Sequence, residues 1–289
     1  MGPPNRATDL LRLEEIAARL RIEIIEMLGK AGSGHPGGSL SVIDIVTCLY
    51  FSKMRHDPKR PEWPERDRFI LSKGHAVPAQ YAALAEAGYF PKQELGTLRK
   101  LGSRLQGHPV RNSVPGIEAC TGSLGQGLSI AQGMAIASKL DGGKFHVYCV
   151  IGDGESQEGQ IWEAAMSAPK YQVDTLTAIL DYNHGQIDGY VDQVMPLEPV
   201  IDKWRAFNWN VLEIDGNQMG QISDALDQAR NFKGKPTFIV AHTVKGKGVS
   251  FMENQIAWHG MAPNPEQTAK ALAELRAAYQ KRFGGTHGS

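Results

Sequence analysis

The chain lacks the features that mark several classes of protein. Its 289 residues contain no apolar run of membrane-spanning length, no internal repeat and no excess of one charge, since 31 Lys and Arg balance 31 Asp and Glu. The start of the chain also lacks the apolar segment of a secretory signal, so we expect a cytoplasmic protein without a membrane span. A net charge of zero gives no reason to expect binding to nucleic acid or to a membrane surface.

Cysteine is scarce too. Cys48, Cys120 and Cys149 are odd in number and far apart, which argues against a disulfide framework and favours a reducing compartment. Hydrophobic residues make up 42% and charged residues 21% of the chain, as in an ordinary globular protein. No low-complexity linker divides the sequence, so we predict a single domain over residues 1–289.

What is present is a regular alternation of strand and helix patterns. Apolar periodicity predicts an N-terminal helix over about 9–28 and a C-terminal helix over about 265–283. Strands are predicted at 69–71, 147–151, 175–180, 210–214 and 237–241, with a helix before them at 41–52 and further helices between them, one of which is 93–101. This order predicts an α/β fold, with a doubly wound parallel sheet flanked by helices.

The best candidate for a binding site is the stretch VYCVIGDGESQEG at 147–159. Its apolar start predicts a strand buried on both faces, and that strand ends at the GDG turn around Asp153. Asn183 follows the next strand in a similar way. Open α/β sheets bind ligands at the carboxyl ends of their strands, and Mg²⁺ takes oxygen ligands. Asp153, Asn183 and a carbonyl such as that of Gly185 therefore predict a metal site beside a diphosphate.

Two other interpretations of the GDG turn are weaker. A tight turn whose aspartate only bonds its own backbone would explain GDG alone, but the pairing with Asn183 favours the metal. Dinucleotide binding needs G-x-G-x-x-G, and the run GDGESQ lacks the third glycine. The glycines at 122–127 stand in a different order, so NAD is disfavoured.

Histidine is the next signal. Four of the nine histidines stand beside glycine in predicted loops: His35, His75, His108 and His259. Together they suggest imidazoles gathered at one rim, for proton transfer or for hydrogen bonds to hydroxyls and phosphates. A zinc site is the rival, but the short His–His spacings of common zinc motifs are missing. The others, His56, His146, His184, His242 and His287, are interpreted as surface, strand-end, turn or tail residues.

Seven motifs in order make the chain resemble transketolases over about residues 10–265. They are SGHPGG from Ser33, LSKGHA from Leu71, GHP from Gly107, TGSLGQG from Thr121, the paired motif GDGESQEG…DYNHG that holds Asp153 and Asn183, KGKG from Lys245 and WHG from Trp258. Each motif alone is weak evidence, but together they are specific. The resemblance implies a thiamine-diphosphate-binding fold that transfers a two-carbon ketol unit from a ketose phosphate to an aldose phosphate.

The resemblance also implies roles for individual residues. Mg²⁺, with Ca²⁺ or Mn²⁺ as substitutes, would be held against the cofactor diphosphate by Asp153, Asn183 and the carbonyl of Gly185. The cofactor-binding set would be His75, Gly122, Ser123, Leu124, Asp153, Gly154, Glu155, Asn183, Lys245 and His259. The catalytic set would be His35, His75, His108 and His259, together with Glu158, which would link paired active sites across a subunit interface. Family members often carry an aliphatic residue at the position of Gly185, so we expect a more flexible loop there.

The length of the chain departs from the family, because full transketolases are more than twice as long. The resemblance therefore implies the N-terminal subunit of a split transketolase. A separate C-terminal subunit would supply the pyrimidine-binding and C-terminal domains, with the acid that activates the cofactor, in a heterotetramer. Because the sequence opens with Met1 and closes after a self-contained helix, we expect a natural split chain and not a truncated one.

Two alternative functions remain open at this point. The GDG–Asn signature is shared with the thiamine-binding subunits of 2-oxoacid and acetoin dehydrogenase complexes, although SGHPGG and LSKGHA favour transketolase. A non-catalytic binding or regulatory module of the same fold is the other alternative, which the four histidines argue against. The identity of the sugar lies beyond this sequence, since the selecting residues would sit on the partner.

Overall fold

Seven strands are present in the computed structural model of the chain, which describes residues 6–284. They are β1 (Arg68–Leu71), β2 (Val147–Gly152), β3 (Leu176–Tyr182), β4 (Gly185–Gln186), β5 (Gly189–Tyr190), β6 (Asn210–Asp215) and β7 (Thr237–His242). Five of them form one sheet in the order β1-β2-β3-β7-β6, with every pair parallel, and β4 and β5 form a small antiparallel hairpin. The predicted doubly wound parallel sheet is confirmed.

Helices cover both faces of this sheet. They are α1 (Arg6–Ala31), α2 (Pro36–Cys48), α3 (Val77–Glu86), α4 (Gln126–Leu140), α5 (Gly159–Lys170), α6 (Val191–Val194), α7 (Val200–Ala206), α8 (Met219–Asn231) and α9 (Pro265–Phe283). Tyr148 and Val150 of β2 join a core with α1, α2, α3, α8 and α9. Cys149 and Ile151 join a second core with α4, α5 and α7. Alternate residues of a strand point to opposite faces, so the apolar run of β2 is buried from both sides.

The start of α2 differs from the sequence prediction. The helix begins at Pro36, inside the segment predicted as a glycine loop, and His35 is its N-cap residue. Proline suits the first helical position because its missing N–H would have no partner there. Gly37 lies in this helix, where a Cβ would lie 2.9 Å from the carbonyl oxygen of Trp258. The glycines of this motif therefore permit close packing of a helix.

Two further predictions on helices need correction. The N-terminal helix is longer than 9–28, because it continues through Gly29 to Ala31. The helix predicted over 93–101 is wrong, since only a short 3₁₀ turn, Lys92–Thr97, forms there. Arg99 takes a positive φ of 58°, and its N–H donates to the carbonyl of Leu105, which turns the chain away from a helical path.

The three cysteines differ in their exposure. Cys48 and Cys149 are buried, Cys120 is exposed, and all three are free thiols. Between residues 6 and 284, no helix combines the length and the apolar character needed to cross a bilayer. His287, interpreted as a tail residue, lies outside the described residues.

Candidate functional site

The predicted metal ligands lie at one edge of the sheet. β2 and β3 are parallel neighbours with Gly152 opposite Asp181, so the residues that follow them, Asp153 and Asn183, emerge side by side. β7 pairs with the other side of β3, and Lys245 follows it at the same edge. A cavity of about 290 Å³ opens here and is lined by Asp153, Asn183, Gly185, Lys245, His75 and His259. The convergence expected from the strand order is present.

Asp153 is the carboxylate of this cavity and is only 2% exposed. Its Oδ1 accepts a hydrogen bond from the N–H of Gly154 at 2.8 Å, while its Oδ2 is buried without a hydrogen-bond partner. Burial, and then the nearby Asp181 carboxylate, raise the pKa of Asp153 to about 6. Burying a carboxylate oxygen without a hydrogen-bond partner costs free energy, and a bound cation beside Oδ2 would offset that cost.

Asn183 and Gly185 turn their oxygens toward a cation that the chain itself supplies. The Lys245 ammonium lies 3.0 Å from the carbonyl oxygen of Gly185 and 3.5 Å from Oδ1 of Asn183. Lys245 is 1% exposed, and burial, followed by repulsion from Lys73, lowers its pKa to about 8. Two of the three predicted ligand oxygens therefore already face positive charge.

Gly185 is tightly packed, contrary to the expectation of a looser loop. A Cβ at this position would lie 2.9 Å from Cδ1 of Ile256 and 2.9 Å from Cδ of Lys245. Its N–H donates to Oδ1 of Asn183 at 3.1 Å, and it belongs to the β4–β5 hairpin. The side chains of Lys245 and Ile256 fill the space that a larger residue at position 185 would need.

The four glycine-flanked histidines gather around His35. Its ring centroid lies 5.0 Å from that of His75, 5.8 Å from that of His259 and 6.3 Å from that of His108. Nδ1 of His35 is buried without a hydrogen-bond partner. The Lys245 ammonium lies 3.0 Å from Nδ1 of His259 and can only donate, so the proton of that neutral ring sits on Nε2.

We expect His35 and His259 to stay neutral down to about pH 5.5. Burial, reinforced by Arg99 for His35 and by Lys245 for His259, lowers their pKa values to about 4 and about 3. Both lie below the unfolded value of about 6.5, so unfolding takes up protons and these two groups make stability fall as pH drops from about 6.5 toward 4. NMR titration of the ring protons, assigned with His35→Gln and His259→Gln, measures this. A midpoint above about pH 6 for either ring would contradict it.

A buried ionic network, which the sequence patterns did not predict, lies beside the cavity. Lys73 forms an ion pair with Asp181, and the two side chains are 2% and 0% exposed. Ser41 and Thr243 also donate to this carboxylate. Burial alone would raise the pKa of Asp181, but Lys73 and the two hydroxyls outweigh it and hold the pKa below its usual value. A charged residue inside an apolar strand run was the available signal, because such a charge needs a partner.

Glu155 has its hydrogen bonds within the chain. One carboxylate oxygen accepts from the hydroxyl of Ser72 and, at 2.9 Å, from the N–H of Gly125; the other accepts from the N–H of Gly152 at 2.9 Å. The side chain is 3% exposed. Glu155 therefore ties the segment before α4 to the GDG turn, and its predicted contact with a cofactor stays a prediction.

The glycines of the GDG turn differ from each other. At Gly154 an added Cβ would lie 2.8 Å from Cβ of Gln186, so no larger residue fits without movement. At Gly152 the nearest atom, Cβ of Lys73, would be 3.6 Å away, which is ordinary van der Waals contact. Packing within the chain therefore requires a glycine at position 154 but not at position 152.

The remaining predicted residues lie on the exposed rim. Gly122, Ser123, Leu124 and Glu158 are exposed, and both Leu124 and Glu158 line the cavity. Glu158 is the N-cap residue of α5, without a side-chain cap hydrogen bond. A larger cleft of about 520 Å³ lies between the start of β1 and residues 111–118, and none of the predicted site residues lines it. The larger cleft thus holds none of the predicted site residues.

Known proteins are similar to this chain over nearly its whole described length. Residues 13–284 match the family model described as the transketolase, thiamine diphosphate binding domain. The chain belongs to this transketolase family. A protein of Clostridium sp. (strain MSTE9), named 6-deoxy-6-sulfo-D-fructose transketolase subunit SqwG, is 50% identical over 263 residues, which are 91% of this chain and 96% of that protein. One of the subunits of the apulose-4-phosphate transketolase of Phocaeicola vulgatus is 43% identical over 269 residues, or 93% of this chain and 95% of its own length.

Solved transketolases have the same fold over this part of their length. The structure of the Leishmania mexicana transketolase superposes with a TM-score of 0.84 at 29% identity and covers 95% of this chain. The match takes up 45% of the Leishmania mexicana chain. This family member therefore spans less than half the length of the solved transketolase that it matches.

Proposed function

We propose that the chain is the thiamine-diphosphate-binding subunit of a two-chain transketolase, with residues 1–289 forming its single diphosphate-binding domain. The observation that carries the proposal is the buried, unpartnered Oδ2 of Asp153 beside Asn183 and Gly185, in a cavity that His75 and His259 of the histidine cluster also line. The named relatives that match over nearly their whole length are themselves transketolase subunits. A cytoplasmic location, where free cysteines stay reduced, belongs to the same proposal.

The residues of the cavity fit a divalent cation bound together with a diphosphate. Oδ2 of Asp153, Oδ1 of Asn183 and the carbonyl oxygen of Gly185 are hard oxygen donors of the kind that Mg²⁺, Ca²⁺ and Mn²⁺ prefer. The ammonium of Lys245 would offset the remaining negative charge of the diphosphate. His75, with Leu124 at the rim, would lie beside the rings of the cofactor.

The histidines have the chemistry to handle substrate hydroxyl groups. Their lowered pKa values keep His35 and His259 neutral at pH 7. The His35 ring therefore has one nitrogen that accepts a proton and one that donates, whereas Nδ1 of His259 accepts from Lys245 and its Nε2–H is the group left to donate. When bound, thiamine diphosphate supplies the electron sink for breaking a carbon–carbon bond next to a carbonyl. His35, His108 and His259 would bind the substrate and move its hydroxyl protons, which is typically worth about 10²–10⁴-fold for each positioned group.

Exposed apolar groups at the cavity support a partner subunit. Leu124 and Ile187 line the cavity and are 36% and 61% exposed in the single chain. A separate chain with the pyrimidine-binding and C-terminal domains would cover them, and Glu158 would lie at the interface of a heterotetramer. The acid that activates the cofactor and the groups that hold the anionic end of the sugar would come from that chain.

The substrate class is tested with the assembled two-chain complex. We expect ketol transfer from ketose substrates that carry a terminal anionic group, phosphate or sulfonate, to an aldose phosphate. The assay compares fructose 6-phosphate, 6-deoxy-6-sulfofructose and apulose 4-phosphate with pyruvate, each with Mg²⁺ and thiamine diphosphate. Decarboxylation of pyruvate with no ketol transfer would replace the proposal by a subunit of a 2-oxoacid dehydrogenase complex.

A further inference from the structure

The carboxamide of Asn183 is held in one orientation. An amide of this kind can be turned so that either its oxygen or its NH₂ group faces a site, and its hydrogen bonds decide between the two. Nδ2 of Asn183 donates to Oδ2 of Asp181 at 3.0 Å and lies 3.4 Å from the hydroxyl of Ser41. Oδ1 consequently faces Lys245 and the N–H of Gly185.

The Asp181 carboxylate, which accepts this hydrogen bond, is itself held by several donors. Asp181 is fully buried at the end of β3, and Lys73, Ser41 and Thr243 all donate to its carboxylate. Lys73 also donates to the carbonyl of Gly38 at 3.3 Å, so the ion pair is anchored in α2. A carboxylate that accepts several hydrogen bonds cannot rotate without losing them, which makes it a rigid acceptor.

We propose that Asp181, held by Lys73, is a positioning residue that turns the Asn183 oxygen toward the cation. This inference rests on the proposed function, since it concerns the same cation and diphosphate. With the amide reversed, its NH₂ group would point at the cation and replace attraction by repulsion. Asp181 itself has no free oxygen for the metal, because Lys73, Ser41, Asn183 and Thr243 occupy both oxygens.

A pair of double variants isolates the acceptor from the charge. Asp181→Leu with Lys73→Met replaces the ion pair by apolar groups of similar size, an exchange that folded proteins often tolerate. Asp181→Asn with Lys73→Met has the same net charge but keeps an oxygen that accepts from Nδ2 of Asn183. A difference between the two variants therefore reports on the loss of the acceptor oxygens, which Ser41 and Thr243 share with Asn183, and not on the loss of charge.

The readout is Mn²⁺ binding by the full chain in the presence of thiamine diphosphate, followed by the electron paramagnetic resonance signal of free Mn²⁺. We expect the Leu/Met variant to bind Mn²⁺ about 10- to 100-fold more weakly than the wild type, as for the loss of an outer-shell partner. The Asn/Met variant should stay within about threefold of the wild type. Equal affinities for the two variants would overturn the inference.

A control double variant tests for general damage to the fold, and a further variant is used if the Leu/Met variant does not fold. Asp67 is an equally buried aspartate, paired with Arg230 near the other end of the sheet, so Asp67→Leu with Arg230→Met tests for general damage and should leave Mn²⁺ affinity unchanged. If the Leu/Met variant does not fold, Asn183→Asp decides. A carboxylate at position 183 is by itself a stronger cation ligand than an amide, but it has no N–H to donate to Asp181. We therefore expect Asn183→Asp to bind Mn²⁺ more weakly than the wild type. Tighter binding of Mn²⁺ would overturn the inference.

The outcomes separate this inference from the proposed function. If the wild-type chain fails to bind Mn²⁺ with thiamine diphosphate, the proposed site is wrong and the inference falls with it. If the wild type binds and the two double variants bind equally well, the proposed function stands and only the role of Asp181 is rejected.

Discussion

Asp153→Ala abolishes cation-dependent binding of thiamine diphosphate, with an expected loss of at least about 100-fold in affinity. That figure is the upper end of the cost of losing an outer-shell partner of a metal ligand, and Asp153 would touch the metal itself. Its Oδ2 is the buried, unpartnered oxygen of the cavity, and without its charge the cation has only the neutral oxygens of Asn183 and Gly185. A diphosphate without its cation would have only the lysine ammonium groups of the cavity, chiefly that of Lys245, to offset its charge.

Isothermal titration calorimetry with thiamine diphosphate, in the presence of Mg²⁺ and in the presence of chelator, measures this effect. Asp192→Ala is the control, because Asp192 is an exposed aspartate that does not line the cavity. It should bind like the wild type. An Asp153→Ala variant that is folded and binds with unchanged, Mg²⁺-dependent affinity would remove the metal assignment.

Asp153 is expected to favour cofactor binding but to lower the stability of the cofactor-free chain at neutral pH. The pKa of Asp153 is raised from 3.8 to about 6, so its contribution to stability is present below about pH 4 and is lost as pH rises through 6. At pH 7 the ionised, buried carboxylate costs about 3 kcal/mol at 1.36 kcal/mol per pKa unit. Asp153→Asn removes that charge and should raise the free energy of unfolding at pH 7 by up to this amount. Denaturant unfolding at pH 7 and pH 4 checks it, and the gain should vanish at the lower pH.

The second large effect concerns the chain alone, which should show no ketol transfer. The cavity provides the predicted cation ligands and the imidazoles of His75 and His259, but the acid that activates the cofactor and the groups that hold the sugar are proposed to lie on the partner. Weak binding of Mg²⁺ and thiamine diphosphate is expected without turnover. Adding the partner chain should raise the rate from background to the ordinary enzyme range of about 1–10³ s⁻¹.

The assay compares this chain, the partner chain and their mixture at equal concentrations, with ketose donor and aldose acceptor present. Light scattering on the mixture should report two copies of each chain. The partner alone serves as the control, since it lacks the ligands Asp153 and Asn183. Turnover by this chain alone at more than about one hundredth of the rate of the mixture would reject the two-chain proposal.

Much of the fold and of the candidate site could be predicted because both depend on local patterns. The apolar runs before Asp153 and Asn183 predicted buried parallel strands, and parallel strands bring their carboxyl ends to one edge. The glycines beside His35, His75, His108 and His259 indicated loops that reach the same rim. The helix predicted over 93–101 failed because Arg99 takes a positive φ that no helical periodicity reveals.

The sequence by itself determined the order of strands and helices, because a chain of alternating strands and helices folds into a parallel sheet. That order also determined the edge of the sheet at which Asp153, Asn183 and Lys245 meet. Only the tertiary structure decided the partners of the buried charges. Lys73 meets Asp181 across 108 positions of sequence, and Glu155 is held by groups from three segments. The reason is physical: a buried charge takes whichever donor the packing brings within about 3 Å, and packing depends on the whole chain.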